Sequence, residues 1–139
     1  MSARTKARKR ALDILYSADM RQSPIATVLA AEAERAASEP ARAASWLYAR
    51  EIVDGVQDHL TEIDELIETY AQGWTVARMP AVDRAVVRIG IWELLYNDEV
   101  PAGVAISEAV EAAAALSTED SPRFVSGLLS KIAQIHTTD

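Results

Sequence analysis

The stretch AVDRAVVRIGIWELLYN (residues 81–97) decides the fold class, because a strand and a helix compete for it. Its middle part, residues 86–91, shows the short apolar alternation of a strand. Over the whole stretch, however, Val82, Val86 and Ile89 recur at intervals of four and three residues, as on one face of a helix. The stretch therefore predicts a helix over about 81–97.

The same helical spacing continues outward on both sides of this stretch. The chain has 139 residues, including 26 Ala but only five Gly and five Pro, and Ala is the best helix former. Proline or glycine marks most of the breaks between apolar stripes. The pattern predicts seven helices, at about 3–21, 24–37, 41–59, 61–72, 81–97, 103–117 and 121–135.

We therefore expect an all-α fold of about seven helices in two packed halves. The length corresponds to one domain, over residues 1–139. The longest irregular segment, residues 74–80, is the expected joint between an N-terminal half of about 1–73 and a C-terminal half of about 80–139. Gly73 is the expected C-cap of the helix before this joint.

Catalytic motifs are absent from the sequence. There is no Cys, which excludes disulfides and thiolate chemistry and suits a reducing, cytoplasmic location. His59 and His136 lie far apart and in no metal-binding motif, and the isolated glycines form no phosphate-binding loop. No apolar run is long enough to span a membrane. We expect no enzyme, no metal and no cofactor.

The charge distribution is the strongest positive signal. The net charge is −7, yet residues 1–10 contain five bases and no acid, so the other 129 residues carry −12. Such a basic segment can neutralise RNA phosphates and release counterions. On a helix, Arg4 stacks with Arg8 and Lys6 with Arg10, which predicts that much of the charge lies near one side. A solvated, frayed terminus is the alternative.

Three segments of the chain together resemble the NusB family of bacterial transcription antitermination factors. They are RKRALDILY (residues 8–16), MPAVDRAVVRIGIWELL (residues 79–95), and VAISEAVE (residues 104–111) followed by DSPRFVSGLL (residues 120–129). Their order and spacing match the family across essentially the whole chain.

The resemblance implies a fold of two three-helix bundles and binding of single-stranded boxA RNA in ribosomal RNA leader transcripts. It also implies a complex with NusE, a small-subunit ribosomal protein, that joins RNA polymerase and other Nus factors in the antitermination complex. A monomer and a homodimer both remain open.

The resemblance and the charge pattern together assign candidate residues. The cations Arg4, Lys6, Arg8, Lys9 and Arg10 are expected on RNA phosphates. Phe124, beside Asp120 and Arg123, is expected to stack on a base, although it could instead be part of the core.

Tyr16, Asp83 and Arg84 match positions where the family meets its protein partner. Tyr16 could also fill the seam between the halves, and Asp83 could cap a helix. A different class of function also remains open, in which the chain is a helical protein–protein adaptor whose acidic body binds a basic partner without any RNA.

Overall fold

The computed structural model describes residues 2–137, apart from the side chains of residues 42 and 137, and this part of the chain contains seven α-helices and no strand. The all-helical prediction is confirmed. The helices are α1 (Ala3–Arg21), α2 (Ile25–Ala37), α3 (Ala43–Asp58), α4 (Leu60–Tyr70), α5 (Ala81–Tyr96), α6 (Ala102–Leu116) and α7 (Ser121–Thr137). Short 3₁₀ turns at Pro40–Arg42 and Val76–Arg78 precede α3 and α5.

The ends of α1 follow from local chemistry. Ser2 is the N-cap, and its hydroxyl accepts a hydrogen bond from the Thr5 amide at 3.1 Å. Gln22 closes the helix in the left-handed region, at φ 53°, and its amide bonds back to Ala18. Because α1 begins at Ala3, the basic segment (residues 4–10) forms its first turns.

The joint between the halves differs from the prediction. Helix α4 ends at Tyr70 with Ala71 as its C-cap, so Gly73 does not cap the helix. Gly73 instead lies in the turn that follows, at φ +80°, a conformation that glycine adopts without steric cost.

Helices α1, α2 and α3 pack on one another as the first bundle, and α5, α6 and α7 form the second. Helix α4 follows α3 in the chain but packs mainly on α5 and α7. The apolar stripe of α4 makes these contacts, because Ile63 and Ile67 are fully buried in the shared core.

The two bundles share one continuous core, and α5 lies at its centre between α1, α3, α6 and α7. Gly55 permits a close approach of α3 to α5, since a Cβ at this position would lie 1.9 Å from Nε1 of Trp92 on α5. None of the helices in residues 2–137 is long and apolar enough to cross a membrane.

Candidate nucleic-acid interface

The basic segment of α1 divides its cations between two sides of the helix. Residues two positions apart on a helix differ in direction by about 200°. Arg4 and Arg8 therefore lie on the side of α1 that faces α3 and α5. Lys6 and Arg10 lie on the other side, here called the outer side, where Arg10 also lines a groove beside α2. The expectation that much of the charge lies near one side is wrong, because the two stacked pairs are themselves only two residues apart.

Arg8 is bound inside the molecule. Its side chain is 11% exposed, and its Nε donates to both carboxylate oxygens of Glu93, at 2.9 and 3.0 Å. Its Nη1 also lies 3.2 Å from Glu108 on α6. Burial alone would lower the pKa of the Arg8 guanidinium, but these carboxylates reverse the effect and raise it.

Glu93 is the centre of this internal network, which we call the Glu93 cluster (Arg8, Tyr48, Glu93 and Asn97). Glu93 is 1% exposed and also accepts a hydrogen bond from the Tyr48 hydroxyl, which in turn accepts one from Asn97 at 3.1 Å. Burial, together with the carboxylate of Glu93, raises the pKa of the Tyr48 hydroxyl well above its ordinary value. The cluster joins α1, α3 and α5.

Arg4 and Lys9 are exposed but already paired with acids. Arg4 Nη2 lies 3.0 Å from Glu99, and its guanidinium carbon lies 4.8 Å from the centre of the Tyr48 ring. Lys9 Nζ lies 2.6 Å from Asp13, one turn along α1. Both pairs are at the surface, where an ion pair contributes little stability and a phosphate can replace the carboxylate.

Lys6 and Arg10 differ from the other cations of the basic segment. Lys6 is exposed and Arg10 is half-buried, and neither has a partner within the described part of the chain. They lie one turn apart on the outer side of α1. These two side chains can bind phosphate without first breaking an ion pair.

Phe124 lies at the start of α7, half-buried against the core, and it contacts a second aromatic ring. Its ring centre is 6.2 Å from that of Trp74, with 59° between the planes. Trp74 is 44% exposed and stands in the joint before α5. Asp120 and Arg123 lie close to Phe124 in the chain, and both are exposed.

Sequence reasoning missed Trp74, which was placed in the joint without a role. A tryptophan in an irregular segment was the available signal, because Trp is enriched at binding interfaces. Its contact with Phe124 depends on how α4 and α7 pack, which no local pattern reveals.

The basic segment and the aromatic pair are not close together. Arg84 Nη2 lies 2.7 Å from Asp19, near the end of α1, and Arg84 Nη1 binds the carbonyl of Val76, two residues after Trp74. The aromatic pair is therefore at the end of the molecule where α1 finishes. From Lys6 to Asp19 the helix rises about 20 Å. A bound strand must cover this distance to reach both.

Two of the three predicted partner residues need correction. Asp83 is 4% exposed, and its carboxylate accepts hydrogen bonds from Ser117 and from Ser121, the latter at 2.9 Å. It thus fixes the loop between α6 and α7, and it neither caps α5 nor reaches the surface. The guanidinium of Arg84 is likewise occupied by Asp19 and by backbone carbonyls.

Tyr16 is 37% exposed, so its side chain is accessible at the surface of α1. It lies one turn after Leu12, which lines an apolar groove of about 340 Å³ between α1, α5 and α6. Val86, Ile89 and Leu116 also line this α1–α6 groove, and Leu116 is exposed at its edge. A groove of this kind suits an apolar segment of a protein.

The surface therefore offers unpaired cations, an aromatic pair of which Trp74 is exposed, and an apolar groove. No group of three or more potential metal ligands occurs among the residues that the structure describes. Such features are typical of a binding protein, because cations can bind phosphates, an exposed ring can stack on a planar group and an apolar groove can hold apolar side chains.

Comparison with known proteins shows which family of all-helical, two-bundle proteins this chain resembles. The model of the NusB family matches residues 5–134. The transcription antitermination protein NusB of Leifsonia xyli subsp. xyli is 78% identical over 134 residues, covering 96% of this chain and 93% of the relative.

Solved structures agree with the sequence relatives. NusB of T. maritima superposes with a TM-score of 0.82 at 30% identity, covering 94% of this chain and 90% of that one. A chain from a complex of the antitermination factors NusB and NusE with double-stranded RNA gives a TM-score of 0.80 at 26% identity, covering 97% and 98%. The chain belongs to the NusB family of transcription antitermination proteins.

Proposed function

We propose that this protein is a transcription antitermination factor that binds single-stranded boxA RNA of ribosomal RNA leader transcripts together with NusE. Such a complex joins elongating RNA polymerase and other Nus factors. The protein acts by binding and not by catalysis. Its place is the cytoplasm, where the transcripts are made.

The observation that carries the RNA-binding part is the state of the cations on α1. Lys6 and Arg10 have no partner in the described part of the chain, and Arg4 and Lys9 are held only by surface ion pairs. These four side chains contact phosphates. Arg8 does not contact RNA. Its buried ion pair with Glu93 fixes α1 on α5 and so holds the other four cations in position.

Base recognition belongs to the other end of α1. Phe124 and Trp74 offer two tilted rings, and Arg123 is an exposed cation beside them. Stacking on an aromatic ring suits single-stranded bases, because their faces are free. Trp74 therefore joins Phe124, Asp120 and Arg123 as an RNA-binding residue.

The α1–α6 groove receives NusE, and Tyr16, one helical turn along α1 from the lining residue Leu12, extends the contact surface. The related complex contains NusE, and this groove is an apolar cavity that α1 shares with the second bundle. Asp83 and Arg84 act on NusE only indirectly, by holding the start of α5 and the loop before α7 in place.

The decisive experiment measures boxA RNA binding as a function of salt, by fluorescence anisotropy with NusE present. The test variant is the double substitution Lys6→Gln and Arg10→Gln. Each phosphate contact contributes about 0.7 to the log–log salt slope of a single strand, so the slope should fall by about 1.4. The matched control is Lys131→Gln, an exposed lysine on α7.

The control should bind as the unaltered protein does. A double variant with unchanged affinity and slope would contradict RNA binding through α1. If NusE then still binds normally, the protein is an adaptor without a direct RNA contact. A duplex of the same sequence, used as competitor, separates single-strand binding from recognition of double-stranded RNA.

A further inference from the structure

A polar groove between α1 and α2 collects arginines from both helices. Arg10 and Arg21 line it from α1, and Arg35 lines it from α2, around a cavity of about 530 Å³. Ser17 and Thr27 add hydroxyl groups to its walls. We call this cavity the α1–α2 groove; it is distinct from the apolar groove on the opposite side of α1.

The arginines of α1 stand in a row. Arg10, Ser17 and Arg21 are separated by seven and four residues, spacings that return to the same face of a helix. Ile14, in the same row, is buried and forms part of the floor. The row begins in the basic segment and runs to the last residue of the helix.

The acids of the groove do not neutralise this row. Asp13 and Glu32 line the groove, but Asp13 already holds Lys9 at 2.6 Å, and Glu32 holds Arg35 at 2.9 Å. Arg10 and Arg21 have no partner among the described residues. The lining residues comprise three arginines and two acids, a net charge of +1, in a chain of net charge −7.

Arg10 is the most informative member of the row. It is half-buried in the wall of the groove, and no acid in residues 2–137 forms an ion pair with it. An anion in the groove would supply that partner. The fork of an arginine side chain matches the oxygen atoms of a phosphate.

We propose that the α1–α2 groove binds the sugar–phosphate backbone of RNA that continues past the basic segment of α1. This inference rests on the proposed function and names an RNA segment beyond the part that the basic segment holds. From Arg10 to Arg21 the helix rises about 16 Å. At about 3.4 Å per nucleotide of a stacked strand, the groove faces four or five nucleotides.

The groove binds this segment without reading its sequence. Its described lining contains arginine, serine, threonine and apolar side chains and the two ion-paired acids Asp13 and Glu32, but no aromatic ring on which a base could stack. Contacts of this kind fix the position of a strand and do not select its bases. The sequence-reading rings, Phe124 and Trp74, lie elsewhere on the molecule.

The experiment compares three RNAs on the full-length protein: a boxA oligonucleotide, and the same oligonucleotide extended by five nucleotides of arbitrary sequence at its 5′ or its 3′ end. One extension should raise the affinity of the unaltered protein and steepen its salt slope. The variant Arg21→Gln with Arg35→Gln should lose that gain, and its slope on the extended RNA should fall by about 1.4.

Arg50→Gln is the matched control for this variant. Arg50 is an exposed arginine like Arg35, and both lie near an acid on their own helix, Asp54 at 3.7 Å and Glu32 at 2.9 Å. Arg50 is on α3, outside the groove. The control should therefore keep the gain, and so should Arg21→Lys with Arg35→Lys, which preserves the charges.

The proposal is overturned if neither extension raises affinity, or if the glutamine variant keeps the gain. It is also overturned if the control loses the gain to the same extent, since the effect is then one of general charge. Failure of the proposed function looks different: the short RNA itself would not bind, or its binding would ignore Lys6 and Arg10.

Discussion

At the scale of single residues, Lys6 and Arg8 on α1 differ in environment although they are only two residues apart. Arg8 neutralises Glu93, which is 1% exposed, whereas Lys6 points into water without a partner in the described structure. Removing one member of a buried ion pair leaves an uncompensated charge inside the protein. The two positions should therefore separate stability from binding.

Arg8→Ala should lower the free energy of unfolding by about 3–5 kcal/mol, and Lys6→Ala should change it by less than about 0.5 kcal/mol. Urea unfolding followed by circular dichroism measures both. Adding Glu93→Gln to Arg8→Ala should recover part of the loss, since the buried charge is then gone. Equal stability of the two single variants would mean that Arg8 is not a structural residue.

The second prediction at this scale concerns the two aromatic residues Phe124 and Trp74 and their effects on RNA binding and stability. Trp74→Ala should weaken boxA binding by about 1–3 kcal/mol per lost stacked base, with no change in salt slope. Because Trp74 is exposed, the melting temperature should hardly change. Phe124→Ala should weaken binding similarly but also reduce stability, since its ring is half-buried.

Thermal unfolding and RNA titration on these two variants decide between stacking and packing. Should Trp74→Ala bind RNA as tightly as the unaltered protein, the aromatic pair would be a packing contact only.

At the scale of helices, two glycines occupy different environments. A Cβ on Gly55 would collide with the buried ring of Trp92, whereas a Cβ on Gly127 would meet no described atom within 4 Å. Both lie inside helices, where glycine costs about 0.5–1 kcal/mol relative to alanine. The substitution of glycine by alanine should therefore change the free energy of unfolding in opposite directions at the two positions.

Gly55→Ala should destabilise the protein by about 1–3 kcal/mol, because α3 must move away from α5. Gly127→Ala should stabilise it by about 0.5–1 kcal/mol. Chemical denaturation of both variants gives the comparison. A stabilising Gly55→Ala would disprove the close approach of these helices.

The positions of the helices were predictable from the sequence. Which cations are buried and which acids they pair with was not predictable. The apolar spacing and the prolines gave α1 as 3–21 and the start of α5 at residue 81, as observed. By contrast, Arg8 is internal because Glu93 and Glu108 come to it from α5 and α6, eighty or more residues away. The same holds for Asp83, whose partners Ser117 and Ser121 lie beyond α6.

At the scale of the whole molecule, two tyrosines connect stability to pH. Burial and the carboxylate of Glu62 raise the pKa of Tyr96 to about 12, and the pKa of Tyr48 is raised further, by burial and Glu93. An unfolded tyrosine has a pKa of about 10. Between these values the unfolded chain has released protons that the folded chain retains.

The stability that these two tyrosines contribute should therefore be constant below about pH 10 and should be lost as the pH rises from there towards 12 and beyond. Urea unfolding at a series of pH values from 8 to 11.5 measures the decline. The double variant Tyr48→Phe and Tyr96→Phe should be less stable at pH 8 but should decline less steeply. Parallel curves for the two proteins would rule out the tyrosines as its cause.

The basic segment is already helical in the protein without RNA. Ser2 caps it, Ala7 and Ala11 are buried beneath it, and Arg8 is fastened to Glu93. A disordered basic tail loses conformational freedom when it binds, and that loss opposes association. Here the ordering has already occurred during folding. RNA binding should then produce little new helix and a small heat-capacity change, and the protein should meet its transcript as a rigid body.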